Sequence, residues 1–223
     1  MFIADTSNFV VRKVDISDTI STFAPIPAAQ SIATDSNGDL FVADDLPDCV
    51  IWKITADGTP SIVAGVRGHC GFGGDGGPAT QAFLFRPFGV ALDASGNLYV
   101  SDSQNQRIRL VDSSGIIHTV AGNGTCAFSG DGGPGTSATL CRPKGLTLDA
   151  KGNLYIADLG NFRVRILNTA GIIQTFAGTG KFGYNGNGLP ALKTNMAPYS
   201  VAVSPTGELH IADVASSRVR KIQ

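Results

Sequence analysis

Glutamate is almost absent from this sequence: Glu208 is alone among 18 acidic residues, and the other 17 are aspartates. Aspartate favours turns and caps where glutamate favours helix interiors. No window carries the 3.6-residue apolar repeat of an amphipathic helix, which excludes a solenoid of helix pairs. An excess of either charge is also lacking. Lys plus Arg is 17, giving a net charge of −1, so no global field draws the chain to nucleic acid or to an anionic membrane. The longest apolar runs are strand-sized, which argues against membrane insertion. No CxxC pair and no GxSxG run occurs, and histidines number three, so neither a zinc ligand set nor a serine nucleophile is expected and no cofactor is implied. Met1 stands directly before a strand, without the basic and apolar regions of a secretory leader.

What is present is repetition. DSNGDLFVAD at 35–44 returns as DASGNLYVSD at 93–102, DAKGNLYIAD at 149–158 and SPTGELHIAD at 204–213, and a truncated MFIAD opens the chain. A unit that cannot bury its own apolar face must stack on copies of itself. Each copy contains four short β-branched and aromatic runs bounded by Gly, Asn, Asp and Ser, the signature of strands. Four-stranded antiparallel sheets at this spacing predict an all-β fold, a β-propeller of about five blades. Labelled a to d in order, the first unit has b, c and d, three units are complete, and the last has a, b and c. That gives 18 strands in a single domain over residues 1–223, with incomplete first and last blades. Because b and c occur in both terminal units, these cannot merge into one blade, and the expectation is a fragment of a larger ring whose leader is absent.

In such a sheet the a-to-b and c-to-d turns share one end. They read SNG, ASG, AKG, PTG, DG and SG, tight hairpin loops whose residues serve backbone shape; the clustered carboxylates of a calcium loop are missing. The opposite end carries the b-to-c turns and the crossings between blades. The first crossing takes 11 steps, Ala24 to Asp35, whereas the next three take 29, 28 and 27. These three carry inserts with their own motif: GFGGDGGPATQAFLFRP at 71–87, AFSGDGGPGTSATLCRP at 127–143 and GYNGNGLPALKTNMAP at 183–198. Two readings stand. The insert is a compact Gly-Asp-Gly turn packed by Phe72, Phe128 and Tyr184, or Asp75 and Asp131 bind a ligand or cation.

The runs RPFGVALDASGNLYVSDSQNQRIRLVDSSGIIHTVAGNG and RPKGLTLDAKGNLYIADLGNFRVRILNTAGIIQTFAGTG resemble NHL repeats over nearly the whole chain. The GDGGPAT insert resembles the long-loop version found in bacterial secreted and surface proteins and in the propeller of teneurins. The resemblance implies a ring usually of six blades. It does not choose a function, since such propellers include protein-binding, RNA-binding, sensor and lyase modules.

Four cysteines allow three pairings. Cys126 and Cys141 bracket the second insert, and Cys49 lies in a b-to-c turn on the face from which the crossing with Cys70 departs. Topology therefore favours Cys49–Cys70 and Cys126–Cys141, and disulfides imply an extracellular or periplasmic location. Asp102 and Arg107, Asp158 and Arg163, and Asp213 and Arg218 repeat at one spacing, which points to bracing of the b-to-c turn. Arg109, Arg165 and Arg220 share a strand face toward a neighbouring blade or solvent. No reactive constellation emerges, since His118, His210 and His69 fall in unrelated places. The expectation is a recognition scaffold without catalysis that binds a protein or glycan ligand through its insert-bearing face, with Arg86, Phe88, Arg142, Lys144 and Tyr199 on the inner rim as contacts. The competing expectation is a lactonase-like or lyase-like metal-dependent enzyme with its key residues outside the fragment.

Overall fold

The computed structural model describes residues 1–222. It is an all-β propeller of five sheets. The first holds β1 (Phe2–Asp5), β2 (Val10–Val14) and β3 (Ile20–Pro25), and the second β4 (Ala29–Thr34), β5 (Leu40–Asp44), β6 (Val50–Ile54) and β7 (Pro60–Ala64). The third contains β8 (Pro87–Leu92), β9 (Leu98–Asp102), β10 (Arg107–Val111) and β11 (Ile117–Ala121). In the fourth, a two-residue strand β12 (Gly133–Pro134) precedes β13 (Pro143–Leu148), β14 (Leu154–Asp158), β15 (Arg163–Leu167) and β16 (Ile172–Ala177). The fifth has β17 (Pro198–Val203), β18 (Leu209–Asp213) and β19 (Arg218–Ile222). Among the described residues the first sheet has no strand a and the fifth no strand d, and β12 is the one strand beyond the 18 expected. Among the described residues no helix is long and apolar enough to cross a membrane.

The turn chemistry follows from the aspartates. Asp93 Oδ1 accepts the N–H groups of Ser95 and Asn97, both at 2.9 Å, and Asp149 Oδ1 accepts those of Lys151 and Asn153 at the same distance. A short carboxylate that reaches two residues along the chain replaces the ladder at the hairpin tip, and the oxygens that a cation would need are occupied by the turn itself.

The chain divides into two compact units, Met1–Asp102 with Leu110–His118, and Ser103–Arg109 with Thr119–Gln223. Within the first, Val11, Ala24, Ile26, Ala29, Leu40 and Val42 close one core between neighbouring sheets. A second core joins Ala43, Ile51, Val90 and Val100 to Ala79, Ala82 and Leu84 of the first insert. That insert is therefore part of the packing, and burying Leu84 alone is worth about 2 kcal/mol. Within the second unit, Val164, Met196, Val201 and Ile211 form the corresponding core.

The innermost strands of adjacent sheets meet closely. A side chain at Gly145 in β13 would begin 2.6 Å from Ser200 Cα in β17. Gly145→Val is expected to destabilise the chain by about 1–3 kcal/mol through overpacking, read as a lower denaturant midpoint; an unchanged midpoint would show that the two strands can separate.

Candidate functional site

The inserts build one end of the blades, and their course follows from backbone pairing. In the first, Gly76 N–H donates to Ile117 O at 2.8 Å and Ala79 N–H to Gly115 O at 2.8 Å. In the second, Gly132 N–H donates to Ile173 O and Gly135 N–H to Gly171 O, both at 2.8 Å. Each of these inserts thus reaches out to strand d of the blade it introduces, pairs along that strand, and returns to strand a. Two glycines make this route possible at the second: Gly130 has φ +88°, and a Cβ there would lie 2.6 Å from Ala138 Cα, while one on Gly135 would lie 2.7 Å from Val120 O.

Where the chain re-enters strand a, the aspartate that ends strand b receives it. Asp44 Oδ1 accepts Ala28 N–H at 2.8 Å, Asp102 Oδ1 accepts Phe85 N–H at 2.7 Å, Asp158 Oδ1 accepts Cys141 N–H at 2.8 Å, and Asp213 Oδ1 accepts Ala197 N–H at 2.9 Å. Asp158 is fully buried. Burial pushes its carboxyl up to about 6, against the opposing pull of Asn161 Nδ2 at 2.7 Å, the Cys141 N–H and the charges of Arg165 and Arg163.

The second insert is pinned by Arg165, whose side chain is 0% exposed. Its guanidinium meets Asp131 Oδ1 at 2.6 Å and Asp158 Oδ2 at 3.6 Å and donates to the carbonyls of Thr139 and Ser129 at 3.3 and 3.2 Å. Thr175 Oγ1 donates to the other oxygen of Asp131 at 2.7 Å. Phe128 lies under two guanidiniums, Arg163 at 3.6 Å and Arg165 at 4.9 Å from the ring centroid. The compact-turn reading of this insert is the one the geometry takes, and the insert aspartate is an anchor to strand c. In the third insert Asn187 replaces the aspartate, and Arg220 instead donates to Gly186 O at 3.0 Å and Asn195 O at 2.8 Å, with Tyr184 taking the place of Phe128.

The repeated aspartate and arginine both brace the b-to-c turn, but separately, since Asp158 accepts from Asn161 Nδ2 and Asp213 from Ser216 Oγ while the arginines bind turn carbonyls. Asp158 and Arg163 are directly opposite in the ladder, yet Arg163 donates to the carbonyls of Asn161 and Thr179 at 2.9 and 3.1 Å. Arg218 likewise donates to Ser216 O at 2.7 Å. The aspartate's cationic neighbour is seven residues on: Arg165 for Asp158, Arg220 for Asp213 at 3.4 Å and Arg12 for Asp5 at 2.7 Å.

The two disulfides join Cys49 to Cys70 and Cys126 to Cys141. The first ties a b-to-c turn to the start of an insert, and the second closes an insert on itself at a sequence separation of 15. Loops of this size gain about 3 kcal/mol each from the restricted unfolded chain.

The five rim residues fall into two groups. In the first unit Arg86, at φ +52°, grips Asp45 with Nε to Oδ1 and an Nη to Oδ2, both at 3.0 Å. Phe88 is only 7% exposed, which leaves little of its ring for a partner to meet. In the second unit Arg142, also left-handed at φ +50°, donates its N–H to Gln106 Oε1 at 2.6 Å and leaves its side chain exposed. Lys144 Nζ stands 5.9 Å from the ring of Tyr199, which is exposed. Lys144 and Tyr199 are thus the pair that the structure brings together. The acids Asp45 and Asp48, the latter held by Arg67 at 3.0 Å, went unassigned in the sequence; their signal is the run DDLPD at 44–48, which has no counterpart in the sister turns.

Two measurements check this site. The Asp158 carboxyl is expected to titrate near pH 6 by carbon-detected NMR, above the ordinary aspartate range. Because folding raises this pKa from 3.8, the folded chain takes up a proton between those values. This group's contribution to stability is complete below pH 4 and falls as pH rises through 6; a midpoint near 3.8 would refute the buried setting. Arg165→Ala strands a fully buried carboxylate and is expected to cost about 3–5 kcal/mol, seen in chemical denaturation.

The sequence pattern of the Teneurin NHL domain matches residues 67–129 and 124–186, together more than half of the chain. Teneurin-4 of Mus musculus is 30% identical over 199 residues, covering 71% of this chain and 7% of that protein, so the chain spans under a tenth of the teneurins it matches. Among solved structures, virginiamycin B lyase from Staphylococcus aureus superposes with a TM-score of 0.65 at 16% identity, over 100% of this chain and 62% of that one. An auxiliary nutrient binding protein from Bacteroides thetaiotaomicron gives 0.73 at 17%, over 96% and 52%. Such likeness shows the fold. It also corrects the expectation against an enzyme: a lyase carries this fold over the whole length of the chain, so the lack of a reactive constellation in this stretch of sequence is no ground against catalysis. The repeats, their sheets and the matched pattern agree, and the chain belongs to the Teneurin NHL domain family.

Proposed function

We propose that this chain is the recognition portion of an extracytoplasmic propeller enzyme, lyase-like or lactonase-like, whose insert-bearing face receives a protein or glycan ligand. The observation that carries the reading is the full-length likeness to virginiamycin B lyase, of which the chain spans 62%; the remaining span of such a protein is room for reacting groups. Among the described residues no group of three or more His, Cys, Asp or Glu side chains is placed to hold a metal ion. These residues do not fit a metal centre, and a metal-dependent reaction would draw its ligands from other parts of the complete protein.

What this chain contributes is a stiff surface. The second insert is held by a disulfide, a buried arginine and a stacked phenylalanine, and loops ordered before binding lose less entropy on contact. Arg142 and Lys144, two residues apart, and Tyr199, whose ring stands 5.9 Å from Lys144 Nζ, then offer cationic and aromatic groups, whereas Arg86 acts through its grip on Asp45. The two disulfides support a location outside the cytoplasm. The likeness of the inserts to those of bacterial secreted proteins supports it too.

The test uses the complete protein, assayed against virginiamycin B and a panel of small lactones, with metal content measured in parallel. Turnover of at least one substrate, lost on chelation, is expected. No turnover together with no bound metal would discard the enzyme reading. Where turnover is found, Arg142→Ala with Tyr199→Ala is expected to raise KM about ten-fold with kcat little changed, the mark of lost binding.

A further inference from the structure

Phe2 of β1 and Phe23 of β3 set their rings 5.0 Å apart at 60°, and Lys13 of β2 stands over both, its Nζ 5.9 and 5.6 Å from the two centroids. The second sheet repeats this trio except for one ring. Phe41 faces Lys53 across the ladder as Phe2 faces Lys13, and Val63 precedes Ala64 as Phe23 precedes Ala24. Lys53 Nζ is 5.5 Å from the Phe41 centroid and meets Asp39 at 2.9 Å, while Val63 supplies no ring. A groove of about 490 Å³ opens at this point between the second and third sheets, lined in part by Phe41, Lys53, Val63, Leu98, Val111 and Ser113, all within the first compact unit. The fourth sheet fills the position, with Tyr155 and Phe176 5.0 Å apart at 90°. The third has Val120 there, but Leu110 in place of the lysine. Among the four sheets with a described strand d, the second alone keeps the cation and one ring without the other.

We propose that this groove binds a small molecule bearing one aromatic ring, which takes beside Phe41 and the Lys53 ammonium the place that Phe23 holds in the first sheet. Two physical terms select an aromatic ring over a saturated one. Paired rings attract beyond the area they bury, through edge-to-face or offset contact. An ammonium is drawn to the face of a π-system, and an aliphatic ring offers it nothing. The pairing with Asp39 keeps Lys53 in position, and an ammonium has donors to spare for it. The groove has the volume of a small-molecule site, and its apolar lining by Val63, Leu98 and Val111 suits a ring, while Ser113 and Ser114 suit a short hydroxylated tail. The occupant is therefore an aryl compound with a small neutral polar tail. This site is separate from the rim residues and does not rest on the enzymatic reading.

Phenethyl alcohol, titrated into the complete protein and followed by ligand-observed NMR, tests it against cyclohexylethanol, a more apolar molecule of similar shape without a π face. Saturable binding of the aryl alcohol is expected, at least about three-fold tighter than that of the cyclohexyl compound. Lys53→Met keeps an unbranched stem without the charge, and is expected to remove that preference. Val63→Phe, which copies the first sheet, is expected to fold and to abolish binding by filling the place. Absence of saturable binding, equal or tighter binding of the cyclohexyl compound, or unchanged binding in a folded Val63→Phe protein overturns the proposal. Binding of a phenylalanine-containing peptide with none of the free alcohol overturns it too, since the occupant would then be a polypeptide.

Discussion

A carboxylate buried at the end of strand b is the constraint on which the four blades with a strand a depend. Asp44, Asp102, Asp158 and Asp213 each accept the N–H of a residue just ahead of strand a, so the point of re-entry is set whatever length of chain precedes it. An unpaired buried carboxylate costs several kcal/mol, and this cost is what holds the crossings in register. Asp44 closes after a crossing of 11 steps and Asp102 after one of 29. Loop-closure entropy rises only slowly with length, so a long insert between two fixed ends adds little burden. The inserts are tolerated because the clasp does not involve their length.

Holding the middle of the second insert is a different problem, and charge handles it. Arg165 is buried between the structural carboxylate of Asp158 and the insert carboxylate of Asp131, with carbonyls of the insert filling two more directions. Among the described residues its Nε has no hydrogen-bond partner, and the face of Phe128 lies beside the guanidinium. Contact with an aromatic face offsets part of such a loss, about 1–2 kcal/mol where water is excluded. The third insert shows which part can be omitted. Asn187 supplies no charge, yet Arg220 keeps two carbonyls, Asp213 and the ring of Tyr184. The carbonyl contacts and the aromatic define the turn, and the insert carboxylate strengthens it.

The repeat, the strand inventory and the end of the blade that bears the inserts were legible because each is carried by local pattern: alternation, turn residues and spacing. The cysteine pairing was legible for a related reason, since topology alone brings Cys49 near Cys70 and Cys126 near Cys141. The arginine partners were not. Arg163 and Arg165 lie on the same face of one strand, two residues apart, so sequence spacing cannot say which turns to Asp158. The choice is made by the insert, whose carbonyls and Asp131 come from more than 25 residues away. Phe88 illustrates the same limit at the rim: it was expected as a contact, but its 7% exposure depends on packing around β8 that a single strand does not encode. β12 escaped because two residues, Gly133 and Pro134, form no pattern of their own and become a strand only against β16.

Repetition also explains why function is harder to read than fold in this chain. A residue that recurs in every blade at one place is accounted for by architecture, so the informative residues are those where one copy departs from its sisters. Three such departures stand out: the acidic turn that engages Arg86 and Arg67, the disulfide confined within the second insert, and the loss of the anchoring carboxylate in the third. The first two stiffen the insert-bearing end in the copies that have them, and the third loosens one insert. Uniform copies would show no such gradient, so the firmness of the first two inserts belongs to these particular copies and not to the repeat as such.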